Sequence, residues 1–506
     1  MALEKKKKYK IPGWQWLIAT MAFFIAVQKY QQYILFDIEQ TRVFVYESDK
    51  MLSQLMRAGG ISDFIALFLQ QFFILKWVGP AIMAVVFGLL SFIIHKVYQH
   101  AAGRKTSLTE DILCCLPAAL LFVYTEGKIF FITGHIAILL SSLALLIGVL
   151  LVNWKNIAAL CLLPLLIILA GFACSTAVWP MIISLFLYSL LYRKKLIAAV
   201  IIVLSALLMI GLARYLCLAV NSTELFLPDI FTFRLKSETI MLWVWVSIVV
   251  VTVMPFIIDK FIPEKLVMNS YAASFIAGAV FGITHQAYNT HHDESTLQRL
   301  QLQHWIDTGN YADAYEFCAQ NINNAYTSNI YFMIISMGGE LENEVGGMLR
   351  APQQLFMKPS QVRFVRRLFM SLYYYIGYVN GAQREAFEYN EPTDGMMIPA
   401  AVKILAQTNL CQGNYAVAEK YLNYLEHTLF YRDWAKQYRR FLYNDKAVEE
   451  DAELGPRRKT LTMESVPERW TTRPHIIRQI ANTAPELPAS NYYKAFKLLG
   501  AYNIEQ

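Results

Sequence analysis

Residues 129–154 read IFFITGHIAILLSSLALLIGVLLVNW, a run of 26 residues without one Asp, Glu, Lys or Arg. A helix of about 20 apolar residues crosses the hydrocarbon of a bilayer, so this run is long enough to span, and it sets the standard for the rest of the chain. Eight more charge-free runs follow from the same reading, at 11–28, 77–95, 112–125, 156–173, 176–192, 196–213, 239–258 and 266–285. The fifth and sixth spans, 156–173 and 176–192, meet at Ser175-Thr176. The segment 112–125 is the short one: its 14 residues between Asp111 and Glu126 either cross with help from their flanks or form a re-entrant helix. The parity of the topology turns on it.

Composition agrees with a membrane chain. Of 506 residues, 56% are apolar and 16% charged, against about 45–50% and about 25% in soluble globular proteins. A soluble enzyme is excluded. Residues 1–285 hold 23 Lys and Arg against 14 Asp and Glu, whereas 286–506 hold 22 against 24. The positive excess therefore sits at the ends of hydrophobic segments, where it sets orientation, and the net charge of +7 does not indicate a nucleic-acid partner. The start, Lys5-Lys6-Lys7-Lys8-Tyr9-Lys10, precedes an apolar run holding Trp14, Trp16, Phe23 and Phe24 with no small-residue cleavage site, so it reads as a retained signal anchor. With the N-terminus inside and nine crossings, inner segments carry 14 positive charges and outer segments 9, which sends everything after residue 286 to the outer face.

The expected fold class is all-α: a polytopic bundle of about nine spans over residues 1–285, then a soluble helical domain. The long outer loop 28–76 carries two surface helices, marked by Met51, Leu52, Leu55 and Met56 and by Phe64, Ile65, Phe68, Leu69, Phe72 and Phe73, and divided at Gly59-Gly60. In 286–443 a motif recurs: Gly309-Asn310-Tyr311-Ala312-Asp313-Ala314 and Gly413-Asn414-Tyr415-Ala416-Val417-Ala418, 104 residues apart and close to three units of 34. Gly381 to Ala386 keeps the Gly-to-Ala spacing between them, and Gly339 falls 30 residues after the first Gly. This stretch resembles tetratricopeptide repeats, which implies paired helices with Gly at the turn, Ala at the crossing and a concave face for a protein partner. Residues 444–506 read as a charged linker with Gly455-Pro456, then a terminal docking helix over Ser490–Tyr502.

Candidate chemistry begins at Phe36-Asp37-Ile38-Glu39-Gln40-Thr41-Arg42, just beyond the first span. A signal anchor, an acidic residue directly after it, surface helices in a long first outer loop and further spans together resemble a type C membrane glycosyltransferase. The resemblance implies a polyprenyl-phosphate-linked sugar as donor, with Asp37 as base or metal ligand, which leaves a divalent metal ion an open cofactor, and Glu39 in support. Asp37-x-Glu39 departs from the paired acidic residues of that family. Displacing a polyprenyl phosphate also needs cations for the leaving group, and Arg42, Lys128, Arg214, Arg234 and Lys236 fall on the outer side, with Glu126 beside Lys128. His135, seven residues into the fourth span, completes the set as a polar ring inside apolar sequence.

The run His285, His291-His292-Asp293-Glu294 with His304 matches no closed zinc spacing and is read as an exit from the last span rather than a metal centre. Cys318 and Cys411 are read as packed thiols. No phosphate loop, dinucleotide fingerprint or nucleophile elbow occurs, which removes a pump with its motor in the same chain. A non-catalytic scaffold for envelope assembly is the alternative to the transferase, and a transporter the third reading. Finally, Phe36 to Phe73, with Arg57-Ala58-Gly59-Gly60-Ile61-Ser62-Asp63 and Phe68-Leu69-Gln70-Gln71-Phe72-Phe73, is similar to an uncharacterised bacterial family of multi-span proteins with a C-terminal helical region. That resemblance implies a two-membrane bacterium, with the chain in the inner membrane and the C-terminal domain in the periplasm.

Overall fold

The computed structural model describes residues 14–126, 132–154, 157–216, 239–261, 270–322, 324–339, 341, 363–390, 397–462 and 473–498, and these are helical with no strand among them. They form two compact units. The first is Met1–Glu39 with Ser48–Leu297, and the second is Gln40–Glu47 with Gln298–Gln506.

The first unit runs α1 (Trp14–Tyr30), α2 (Gln32–Glu39), α3 (Ser48–Leu55), α4 (Gly60–Gln70), α5 (Val78–Ala102), α6 (Leu108–Leu113), α7 (Leu116–Tyr124), α8 (Ile132–Asn153), α9 (Leu163–Cys174), α10 (Val178–Leu191), α11 (Leu196–Leu216), α12 (Thr239–Phe261) and α13 (Ser270–His291). Among its described residues five stretches are long and apolar enough to cross a membrane: Val78–Ala102, Ile132–Asn153, Ala158–Leu191, Leu196–Tyr215 and Thr239–Phe261. The third would be about 50 Å long if straight. Instead it breaks at Ser175, whose φ of 50° no helix continues through, and folds back as α9 and α10. The chain leaves α8 at Asn153 and returns beside it, because Lys195 donates to the carbonyl of Val152 at 2.7 Å.

Hydrogen bonds fix the two ends of this bundle. At one end Gln15 donates to Asp111, Arg104 pairs with Glu110 and Asp259, and Tyr188 donates to Asn153, joining the start of α1 and the ends of α5, α8, α10 and α12. At the other, Gln31 donates to Glu126, Thr133 to Asp63 and Ser62 to the carbonyl of Ala173. α1, α5, α6 with α7, α8, α9 and α10 alternate in direction between these ends. The short segment 112–125 therefore runs the length of the bundle, with Glu110 and Asp111 at one end and Glu126 at the other. A capping box between Ser107 and Glu110 starts it, and α13 packs along both of its helices. Close approach is paid for by glycine where it matters: a Cβ on Gly88 would stand 2.0 Å from Thr20 Oγ1, so α1 can lie on α5 only because the position is Gly.

α14 (Glu294–Asp307) begins in the first unit and continues into the second at Gln298, and the second unit then holds α15 (Tyr311–Gln320), α16 (Ala325–Gly338), α17 (Arg363–Ile376), α18 (Val379–Tyr389), α19 (Pro399–Gln412), α20 (Tyr415–Glu426), α21 (Arg432–Arg439), α22 (Asp445–Glu450), α23 (Leu454–Lys459), α24 (Arg473–Thr483) and α25 (Ala489–Leu498). From α17 to α21 each helix packs on its successor. Three of the turns share one geometry. Gly309, Gly377 and Gly413 have φ of 73°, 95° and 74°. The next amide then reaches back five residues, Asn310 to Trp305, Tyr378 to Tyr373 and Asn414 to Asn409 at 2.8–2.9 Å. The Ala five positions after each Gly, Ala314, Ala382 and Ala418, is fully buried. The repeat register read from Gly381 to Ala386 is thus corrected by four residues. Gly381 lies inside α18, and the turn is made by Gly377, 68 residues after Gly309.

Two further corrections follow. The charged stretch 444–459 is not open linker: it forms α22 and α23, whose Val448 and Leu454 are buried with Val379, Leu410 and Cys411. The terminal helix ends its described part at Leu498 and packs into its own unit, with Tyr492 and Phe496 against a core that includes Phe332, Phe369 and Leu372. Residues 499–506 lie outside the described set. The sequence also gave no hint that Gln40–Glu47, between α2 and α3, is part of the second unit. Val43 and Val45 are buried there with Val402, Ala406, Leu422, Leu425 and Tyr431. The amide of Tyr46 donates to the carbonyl of His427 at 2.7 Å, and Gln40 donates to the Tyr431 hydroxyl at 2.6 Å.

Candidate functional site

Glu126 follows α7 at the tip of an apolar run, where a carboxylate must find partners or stay protonated. Gln31, at the end of α1, meets it: its amide nitrogen donates to Glu126 Oε1 at 2.9 Å and to the carbonyl of Phe122 at 2.8 Å. The oxygen of the same amide is buried with no hydrogen-bond partner among the described residues. On the other side His292, just past α13, places Nδ1 3.2 Å from Glu126 Oε2 and Nε2 3.2 Å from Glu294 Oε2. The three side chains grade from inside to outside, Glu126 1% exposed, His292 20% and Glu294 70%. Aromatic rings hold the imidazole in place: Tyr288 stacks on His292 with centroids 4.5 Å apart, and Tyr30 meets Tyr288 edge-on at 5.8 Å.

Electrostatics follow from that placement. Burial pushes the Glu126 carboxyl up from its ordinary value, against the opposing hydrogen bonds from Gln31 and His292. Burial alone would lower His292, but its hydrogen bonds to Glu126 and Glu294 outweigh it and the imidazole is raised. The contrast is with Glu110 at the opposite end, whose two oxygens are taken by Arg104 at 2.7 and 3.0 Å, by Tyr98 and by the Ser107 amide. There a guanidinium settles the charge and the group is a structural clamp. At Glu126 the partners are an amide and an imidazole, which can gain and lose a proton.

The described residues among those singled out from sequence fall on several elements. Thr125, the neighbour of Glu126 in the chain, places Oγ1 3.2 Å from His135 Nε2, and His135 is fully buried beside Phe87 and Tyr124. Asp37 is half-buried on α2, and Glu39, on the same helix, is 2% exposed. Arg42 is buried in the second unit, not in the first. Arg214 is exposed in the last turn of α11. Lys128, Arg234 and Lys236 lie outside the described residues. Sequence reading missed Gln31, His292 and Glu294 as partners of Glu126. The available signal was a carboxylate closing an apolar run and, far along the chain, a His-rich stretch following the last apolar run. Among the described residues no group of three or more His, Cys, Asp or Glu is placed to hold a metal ion. His292 itself keeps Glu126 and Glu294 on opposite sides of its ring, so they do not converge on one point.

A second buried polar set lies in the helical unit. Glu453 accepts from Tyr374, Gln407 and Tyr438, and Arg457 donates to the carbonyls of Tyr374, Tyr375 and Glu453. These bonds tie α23 to α17, α19 and α21 and satisfy Glu453 and Arg457, which is a structural role.

The chain is thus an all-helical protein with several apolar helices of membrane-spanning length and a second, helical unit. It belongs to a family described as "Family of unknown function (DUF6057)", whose model matches residues 7–504. No curated protein and no solved structure matches it.

Proposed function

We propose that the chain is a multi-pass inner-membrane protein that crosses the bilayer nine times and presents its second unit in the periplasm as a helical-repeat scaffold, related to tetratricopeptide repeats, for a protein partner. The observation that carries this reading is the position of Gln40–Glu47. This segment follows the first span, the rest of its unit follows the last helix, and both belong to one compact body. A folded body lies on one side of a bilayer, which supports an even number of crossings between residues 48 and 297. In this reading α5, α6 with α7, α8, α9, α10, α11, α12 and α13 are taken as passes, which makes eight, and nine with α1. A re-entrant 112–125 would leave seven and put the two parts of one unit on opposite faces. The charge bias of 14 inner against 9 outer positive residues then selects the outer face. The test is a pair of reporters fused after Gln506: alkaline phosphatase should be active there and a cytoplasmic fluorescent reporter dark. The reverse pattern would overturn the orientation.

The second reading is a type C transferase using a polyprenyl-phosphate-linked sugar at the same face. What favours it is the acidic helix α2 directly after the first span, with Asp37 half-buried and Glu39 buried. In this reading Asp37 takes a proton from the acceptor or holds a divalent metal, and Arg214, with Lys128, Arg234 and Lys236, receives the leaving phosphate. Asp37→Asn keeps shape and removes the proton-accepting charge. Transfer from a polyprenyl-phosphate sugar to acceptor should be lost in membranes holding this variant at normal abundance, whereas unaltered complementation would leave the scaffold as the sole reading.

A further inference from the structure

We propose that Glu126, His292 and Glu294 form a proton-binding site at this end of the bundle, filled from water through Glu294, and that the bound proton latches the end of α13 onto α1 and α7. The geometry is a graded path. Glu294 is open to solvent, His292 bridges with one ring nitrogen on each side, and Glu126 is enclosed. A proton entering from water protonates Nε2 of His292 beside Glu294. The Nδ1 proton is then shared with Glu126, so only N–H and O–H bonds form and break. Gln31 suits both states of the carboxyl. Its amide nitrogen donates to the carboxylate, and its unpaired buried oxygen could, with the amide turned over, accept from a protonated Glu126.

The latch is mechanical because each member sits on a different element. Gln31 ends α1, Glu126 ends α7, His292 ends α13 and Glu294 opens α14. The Tyr30–Tyr288 contact bridges the same two helices, α1 and α13. Among the described residues, the titratable and charged groups on the elements around the pair are Lys29 and Tyr30 at the end of α1, Tyr288 and His291 from α13, Asp293 and Glu294 at the start of α14, and His135 from α8 beside Thr125. A His at a helix C-terminus is itself favoured in its charged form by the helix dipole.

The sign of the pH dependence follows from both members holding their protons more firmly when folded. Each contributes stability that is present at low pH, and that is lost as pH rises, for Glu126 above the ordinary carboxyl value and for His292 through its raised imidazole value. Above the latter, a bare Nε2 faces the Glu294 carboxylate and the buried Glu126 charge has lost its counter-charge. The latch loosens toward alkaline pH.

The test uses the full-length protein in nanodiscs and diethyl pyrocarbonate, which acylates only unprotonated imidazole, with the His292 adduct followed by mass spectrometry as a function of pH. Glu126→Gln should move the His292 midpoint down by about one pH unit, a tenfold change in proton affinity, and Glu294→Gln should move it the same way by less. Hydrogen exchange over the last turn of α13, corrected for intrinsic rates, should quicken through the wild-type midpoint and lose that dependence in Glu126→Gln. Coincident midpoints in all three proteins would overturn the site. A moved midpoint with pH-independent exchange would overturn the latch. Glu294 is on the surface, so its variant decides the relay even if Glu126→Gln does not fold.

Discussion

Val43→Asp is expected to unfold the helical unit whose other residues begin at 298, while leaving the bundle that flanks position 43 in sequence intact. Val43 is 4% exposed, in one cluster with Val402, Ala406, Leu422, Leu425 and Tyr431. Removing it forfeits roughly 1.5–3 kcal/mol of apolar burial, and the new carboxylate must either ionise in an apolar core or be held protonated at a further cost of several kcal/mol. The sum, on the order of 4–6 kcal/mol, approaches the whole stability of a typical domain, about 5–15 kcal/mol. Val43→Ala removes only the packing and should cost about 1–2 kcal/mol. Limited proteolysis of the full-length protein in detergent is the measurement. Cleavage should appear within residues 298–498 in Val43→Asp, to a lesser degree in Val43→Ala, with the fragment carrying α5 to α13 persisting. Equal protection of both variants and the wild type would mean that the 40–47 segment is not part of the unit's core. The same reasoning says that a fragment starting near residue 290 lacks two valines of its own core.

The bundle was legible because membrane spans are written in composition. A run without charge needs no tertiary information to be read, and the breaks at Ser175 and Gly59-Gly60 were visible as polar or glycine interruptions. The threaded segment was not legible. Arg42-Val43-Phe44-Val45-Tyr46 is short, lies among Asp37, Glu39, Glu47 and Asp49, and its two valines are buried with residues more than three hundred positions away in the chain. Its β-branched and aromatic residues were the local trace of burial. The stretch 444–459 failed for the opposite reason: counting charges made it linker, but Arg457 spends its charge on three carbonyls and Val448 and Leu454 face inward.

The candidate site was half-legible for a related reason. Glu126 and His135 stand out individually, since a carboxylate at the end of an apolar run and a ring within one are costly unless partnered. Which partners they have is a matter of tertiary structure. His292 was visible only as one of several histidines after an apolar run. Its pairing with Glu126 depends on α13 running along α6 and α7, a packing that one sequence does not encode in any local pattern.

Gly377→Val should be the most damaging single change at a turn of the helical unit, and comparison with Gly413→Val separates its two causes. Both glycines have positive φ, 95° and 74°, so either substitution forces a β-branched residue into the left-handed region, at about 1–2 kcal/mol. At Gly413 nothing lies within 4 Å of where a Cβ would be, and that strain is the whole penalty. At Gly377 the Cβ would stand 2.4 Å from Leu487 Cδ1 and 3.4 Å from Ile480 Cγ2, side chains of the C-terminal helices and their connection that close the core over α17. Overpacking of that kind adds about 1–3 kcal/mol, for a total near 3–5 kcal/mol. Leu487→Ala in the Gly377→Val background should recover part of the loss by making room, whereas it should only add to the loss in Gly413→Val. Thermal unfolding of the purified full-length variants measures all four. If Gly377→Val were no worse than Gly413→Val, the turn at 377 would not be pressed against the C-terminal helices, and the placement of α24 and α25 as the closing layer of this unit would be wrong.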